Sequence, residues 1–309
     1  LSRKANYIGK LSINLRMTYF SPTDLIINPD GSSYHLNLHP DQIPDTLILV
    51  GDPERVPTVS HYFDEVTEMI QKREFVTHLG LLGGKRIAVV SSGIGADNVE
   101  IVMNELDALV NIDFKTRTEK VEKRSLHLIR IGTSGSIQAH IPVDSILVST
   151  AAIGFDNLAQ FYGFDSAQSL PEDVIARWTK AIDYSLPLYA ARASASLLSQ
   201  FASLNAYQGV TLTAPGFYAP QGRTIRLHSI RPDFLQKVAA AKLGDQEITN
   251  IEMETAAYYA FAGAMGHEMI SLNAILANRI TQEFSQDPEG QIRSLIEKAI
   301  GIIASHNHS

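Results

Sequence analysis

Two segments far apart in the chain hold most of its candidate chemistry: IRIGTSGSIQ over 129–138 and NIEMETAA over 250–257. In the first, Arg130 stands inside an apolar run and is followed at once by Thr133, Ser134 and Gly135, which offer hydroxyls and backbone N–H groups. A guanidinium buried without a partner is costly, so Arg130 needs an anion, either a protein carboxylate or a bound one. In the second, Glu252 and Glu254 flank Met253 ahead of a run of small residues. Carboxylates are common at helix starts because the macrodipole favours them. A carboxylate also accepts a hydrogen bond from each of two vicinal hydroxyls, the pattern a ribose presents. Taken together the two segments suit a phosphate lying beside a ribose, which points to phosphorolysis of a nucleoside.

Two further segments add to this, and two others do not. GDPERV over 51–56 follows an apolar strand directly, with Gly51 in the turn, Pro53 at an expected helix start and Arg55 as a fixed positive charge; exposed N–H groups there could hold phosphate, and an ordinary strand-to-helix turn is the plainer alternative. FYAPQGR over 217–223 offers an aromatic face, an amide and a guanidinium, so a planar base could stack on Phe217 while Gln221 and Arg223 address its carbonyl edge. SSGIGADN over 91–98 lacks the third glycine of a dinucleotide fingerprint, and GLLGGKR over 80–86 lacks the spacing and hydroxyl of a Walker loop. Neither supports a nucleotide cofactor.

These residues need a rigid frame, and the hydrophobic pattern supplies one. Short apolar runs occur at 46–50, 86–90, 126–131, 145–150, 210–213 and 269–277, and most show no polar alternation, as expected of strands buried on both faces. Helices are expected at 53–60, 97–110, 171–201, 232–241, 253–264 and 291–305. In the last of these Ile292, Leu295, Ile296, Ala299, Ile302 and Ile303 form one apolar stripe. The expected fold is a single α/β domain. Residues 1–30 read as a flexible N-terminal extension and 31–309 as the domain, with the charged stretch FKTRTEKVEKR over 114–124 a solvated insertion and the terminal SHNHS a frayed end rather than a metal site.

Composition excludes several classes. A net charge of −7 in 309 residues leaves no basic footprint for nucleic acid, and Cys 0 removes disulfides, thiolate metal ligands and a cysteine nucleophile. The first sixteen residues hold no apolar core of signal-peptide length, and no run reaches the roughly twenty apolar residues of a membrane span. A cytoplasmic protein without membrane or nucleic-acid partners is expected.

The segments also occur in a recognisable order. From about Tyr34 to Ala304, YHLNL, GDPERV, KREF, SSGIGADN, IRIGTSGSIQAHI, FYAPQGR, IEMETAA and ANRITQE resemble the nucleoside phosphorylases of the purine/uridine phosphorylase superfamily, most of all the uridine phosphorylases. The resemblance implies a central mixed, partly barrel-like β-sheet flanked by α-helices. It implies a phosphate site of Gly51, Arg55, Arg130 and Thr133, with Arg73 reaching in from a neighbouring subunit. The ribose would lie against Thr133, Met253 and Glu254 and meet His35 of that neighbour, and the base would meet Gly135, Phe217, Gln221, Arg223 and Glu252. Arg130, Glu254 and Arg223 would carry the catalysis, with inorganic phosphate as co-substrate and no organic cofactor. A homodimer is then the minimum unit, a trimer of dimers the expected assembly, and a structural potassium or sodium ion near Glu74 a feature of relatives. Asn278 stands where purine-specific bacterial relatives carry an acidic aspartate, so uridine is the expected substrate, with purine nucleosides, a nucleosidase reaction or nucleoside binding without turnover as alternatives. Departures occur at GFYAPQG, in a longer 111–125 stretch and over 156–206, which matches only loosely.

Overall fold

A computed structural model describes residues 18–185 and 187–306. In chain order these form β1 (Thr46–Val50), α1 (Arg55–Ser60), β2 (Glu65–Lys72), β3 (Phe75–Leu82), β4 (Lys85–Ser91), α2 (Ala96–Asn111), β5 (Ile112–Asp113), β6 (Thr118–Glu119), β7 (His127–Ser136) and β8 (Ile146–Gly154). There follow α3 (Glu172–Ala181), β9 (Tyr189–Arg192), α4 (Ala195–Gln200), β10 (Tyr207–Thr213), α5 (Phe234–Ala240), β11 (Lys242–Leu243), β12 (Gln246–Glu252), α6 (Thr255–Met265), β13 (Glu268–Asn278), β14 (Glu283–Phe284) and α7 (Pro288–His306).

The apolar runs all lie in strands. β1 sits between β4 and β7, parallel to both, so that Ile48 faces Val89 on one side and Ile129 on the other. The main sheet runs β11-β12-β10-β8-β13-β7-β1-β4-β3-β2, and β12 also pairs with β7. That last pairing, antiparallel through Asn250 to Ser136 and Ile251 to Gly135, closes β7, β13, β8, β10 and β12 into a ring. The sheet is therefore mixed and partly a barrel, and closure removes the edges that open strands would expose.

Helices cover both sides. α6 is apolar all round, TAAYYAFAGAM, and is buried from Thr255 to Ala262, as a helix enclosed by protein must be. It packs against α2 and the strands β8, β9 and β13. On the other side α7 buries Leu295, Ile296, Ala299, Ile300 and Ile303, close to the stripe expected from its spacing.

Two expectations need correction. The helix expected over 171–201 is α3, β9 and α4 in succession: Asp183 turns left-handed at φ 54° after α3, and Pro187 bars helix re-entry before β9 joins the sheet beside β8. The charged stretch over 114–124, expected as a solvated insertion, carries β6, which pairs with β5 in a small hairpin. The described part of the N-terminal extension is attached to it. Arg117 donates to the carbonyls of Phe20, Ser21 and Leu25, and Tyr19 bridges to Thr118. Residues 1–17 and the last three of SHNHS lie outside the described residues.

Candidate active site

The carboxyl ends of β1, β7 and β12 converge on one cavity of 810 Å³, lined among others by Gly51, Arg55, Arg130, Thr133, Ser134, Gly135, Phe217, Gln221, Arg223, Glu252, Met253 and Glu254. Crevices at strand carboxyl ends are where open α/β sheets bind ligands, because loops there are free to vary on a fixed frame.

Arg130 lies on the floor, 3% exposed. Its Nη2 donates to Glu254 Oε2 at 2.6 Å and stands 3.1 Å from Glu252 Oε2, while Nη1 donates to Asn273 Oδ1 at 3.1 Å and to Ser271 Oγ at 3.3 Å. Burial opposes its charge, yet the two carboxylates hold the guanidinium above its ordinary value. Arg55, on the first turn of α1, reaches the same region with Nη1 3.4 Å from the Ile131 carbonyl; its pKa is lowered chiefly by burial, with Arg130 adding repulsion. A second anion bridging the two guanidinium groups would relieve both effects.

The two glutamates divide the work. Glu252 is spent inside the protein: its carboxylate accepts from the N–H of Glu254 and Thr255 and from the hydroxyls of Thr213 and Thr255, and so caps α6 as it braces Arg130. The base-contacting place expected for it is taken up by these bonds. Glu254, which also lines the cavity, accepts from the Gly95 N–H at 2.7 Å as well as from Arg130. Burial raises its pKa, against the pull of Arg130. SSGIGADN thus does more than turn the chain: Gly95, at φ 100°, aims its N–H at the carboxylate that the sequence pairs with ribose.

At the opposite wall Arg223 donates to Gln221 Oε1 at 2.6 Å and to the Phe217 carbonyl at 2.7 Å, with its guanidinium 3.7 Å from the centre of the Phe217 ring. The face of Phe217 expected to receive a base is covered by Arg223 here. Burial, then the nearby Arg279, lower Arg223 to about 10. Arg279, which motif reading passed over, braces this wall without itself lining the cavity. It donates to the Gln221 carbonyl at 2.9 Å, and its stem lies against Gly135. Its signal was its position in ANRITQE, directly after Asn278.

Arg73 and His35, the residues expected from a neighbouring subunit, do not line this cavity. Arg73 is exposed at the β2–β3 turn with φ 57°, and His35 Nδ1 lies 2.7 Å from Glu105 Oε1 of the same chain. Glu74 does line it, although no group of three His, Asp or Glu among the described residues is placed to hold a metal ion.

Comparison with known proteins gives the family. The family model described as "Phosphorylase superfamily" matches residues 45–305. The chain belongs to this superfamily. It is 29% identical over 275 residues to the uridine phosphorylase of Thermococcus kodakarensis, covering 89% of this chain and 88% of that one, and 29% identical over 273 residues to that of Haemophilus influenzae, covering 87% and 95%. DeoD-type purine nucleoside phosphorylases such as that of Bacillus thuringiensis follow at 26%, covering 87% and 97%. A Trypanosoma brucei nucleoside phosphorylase, described as showing uridine phosphorylase activity, superposes with a TM-score of 0.78 at 27% identity, covering 91% of this phosphorylase and 98% of that chain. The fold of a Phytophthora capsici uridine phosphorylase is shared at a TM-score of 0.67 and 19% identity.

Proposed function

We propose that this phosphorylase catalyses the reversible phosphorolysis of uridine to uracil and ribose 1-phosphate. The observation that carries the reading is the single cavity with Arg130, Arg55 and Glu254 at one end and Gln221 with Arg223 at the other. A phosphate oxygen attacks the anomeric carbon of ribose as the bond to the base nitrogen breaks, through a transition state with oxocarbenium character. The bonding pair leaves with uracil, which then takes a proton from phosphate or solvent. Arg130, Arg55, Thr133 and Gly51 hold the phosphate, Arg73 of a second subunit completes that site, and Glu254 with Met253 orients the sugar. The negative charge growing on the pyrimidine is stabilised by Arg223 and Gln221, next to Gly135.

Asn278 favours a pyrimidine over a purine. It is 1% exposed and wholly committed, donating to the carbonyls of Gln138 and Ile141 and accepting from the N–H of Ile280 and Thr281. It neither faces the cavity nor carries an acid to protonate a purine. With the reading go a homodimer in which His35 meets the neighbour's sugar, assembly into a trimer of dimers, a monovalent cation near Glu74, and a cytoplasmic role in pyrimidine salvage. No helix among the described residues is long and apolar enough to cross a membrane.

The test is uracil release from uridine in phosphate-free buffer and with phosphate added. Release only with phosphate, with ribose 1-phosphate as co-product, is the expected result; release without phosphate would make the protein a nucleosidase. Binding of uridine without release would leave it a binding protein. Arg223→Ala is expected to raise the KM for uridine about tenfold and lower kcat, since a charged group's hydrogen bonds are lost from the base edge. Wild-type kinetics in that variant would move the base elsewhere.

A further inference from the structure

Arg130 meets its two glutamates on unequal terms. Glu252 is fixed by the N–H groups of Glu254 and Thr255 and by the hydroxyls of Thr213 and Thr255, so it stays in place whatever Arg130 does. Glu254 has the Gly95 N–H on Oε1, and its Oε2 accepts from Arg130 Nη2 alone among the described residues. Arg130 Nη1 is turned to Asn273 and Ser271 on β13, which leaves Nη2 as the terminal nitrogen for a phosphate held at this end of the cavity. A phosphate dianion therefore competes with Glu254 for Arg130, and repels the carboxylate besides.

That exchange would strand Glu254 Oε2 in a site 6% exposed, where a carboxylate short of donors takes up a proton; burial already raises its pKa. One turn along α6 on the same face, where residues i and i+4 meet, stands Tyr258. Its N–H donates to the Glu254 carbonyl at 3.2 Å, and its ring is packed in the apolar core. Its hydroxyl is buried with no hydrogen-bond partner of good geometry among the described residues, the nearby Ser92 included. Ser92 sends its own hydrogen to the Gly93 carbonyl at 3.0 Å. The Tyr258 hydroxyl feels the charges of Arg130, Glu254 and Glu252, and burial keeps it protonated far above neutral pH, so it is a donor. A hydroxyl on a side chain 1% exposed is costly to leave unpaired, and the acceptor it lacks is one that Arg130 holds.

We propose that Tyr258 is a positioning residue: as phosphate draws Arg130 Nη2 away, the tyrosine O–H takes over Glu254 Oε2 and holds the carboxylate ionised and in place for the nucleoside. A carboxylate has about four acceptor positions, so with Gly95 and Tyr258 on two of them the others stay open to hydroxyls. Each substrate then favours the other. Phosphate frees Glu254 from Arg130, a nucleoside on Glu254 frees Arg130 for phosphate, and the coupling is reciprocal. The inference rests on the nucleoside phosphorylase reading above.

The experiment is two-substrate initial-rate kinetics, uridine against inorganic phosphate, on the wild type, Tyr258→Phe and Ser92→Ala, with the pH profile of kcat/KM for uridine and the denaturant unfolding of each. In the wild type, saturating phosphate is expected to lower the KM for uridine about tenfold. Tyr258→Phe keeps the ring and loses only the hydroxyl. Its KM for uridine is expected to match the wild type at limiting phosphate and to be about fivefold higher at saturating phosphate, the size of one lost hydrogen bond. Its acid limb moves to higher pH, because a carboxylate with one donor fewer protonates more readily and activity that needs the ionised form is lost sooner as pH falls. Without phosphate its unfolding midpoint is unchanged or raised, and Ser92→Ala keeps wild-type kinetics. Independent binding of uridine and phosphate in the wild type, or wild-type KM values and acid limb in Tyr258→Phe, would overturn the proposal. So would Ser92→Ala kinetics that match Tyr258→Phe, or a lowered unfolding midpoint in Tyr258→Phe, since either makes the hydroxyl a structural donor to Ser92. Failure of the wild type to turn over any nucleoside would instead overturn the functional reading beneath it.

Discussion

Replacing Arg130 with alanine is expected to lower phosphate-dependent turnover by about 10³-fold, the scale seen when a preorganised donor to developing charge is removed. The same change should destabilise the fold, and the two effects have one cause. Arg130 neutralises two buried carboxylates, Glu252 at 4% and Glu254 at 6% exposure. Its removal leaves uncompensated charge in the interior, which costs about 3–5 kcal/mol when a buried pair is broken. Arg130→Lys separates the two contributions. It keeps a cation near the glutamates, so much of the stability returns. It loses the planar fork that contacts Glu254 and Asn273 at once, so catalysis stays impaired. Denaturant unfolding and steady-state kinetics on both variants check this. Near-normal phosphate-dependent turnover in Arg130→Ala would remove Arg130 from the reaction and the phosphate site with it.

How far the sequence reveals this centre depends on how local each cause is. The strands at 46–50 and 86–90 are legible because burial on both faces leaves continuous apolar runs. β2, EVTEMIQK, is not, because most of its residues are exposed and its pairing with β3 depends on a hairpin turn at Arg73. Closure of the ring through β12 and β7 joins residues more than a hundred positions apart, and no periodicity encodes it. The same holds within the site. That Arg130 needs an anionic partner follows from its apolar neighbours. That the partners include both glutamates, and that Gly95 holds one of them, is set by tertiary approach. Asn273 hid within the apolar run of β13, where one polar residue has little weight against its neighbours. His35 and Glu105, seventy residues apart, are paired only by the packing of the N-terminal segment on α2.

Gly132 is expected to be as intolerant as Arg130, for a reason of space rather than charge. A methyl group at that position would lie 1.9 Å from Arg130 Nη1, 2.4 Å from Cζ and 2.8 Å from Nη2, well inside van der Waals contact. The tip of an arginine can usually swing aside. Here it is boxed in, with Glu252 and Glu254 on one edge and Asn273 and Ser271 on the other. Moving away from the methyl must break one of these pairs and carry the guanidinium off its phosphate-facing position, and displacements of about 1 Å cost on the order of 10²-fold in rate. Gly132→Ala should therefore lower kcat/KM for phosphate by about that factor while the KM for uridine changes little. The backbone at this position does not need glycine's left-handed freedom, so the loss is to be read in the phosphate kinetics first and in stability only secondarily. Wild-type phosphate kinetics in Gly132→Ala would mean that the guanidinium can leave its box without consequence, and that the anion is held by Arg55 and Thr133 rather than by Arg130.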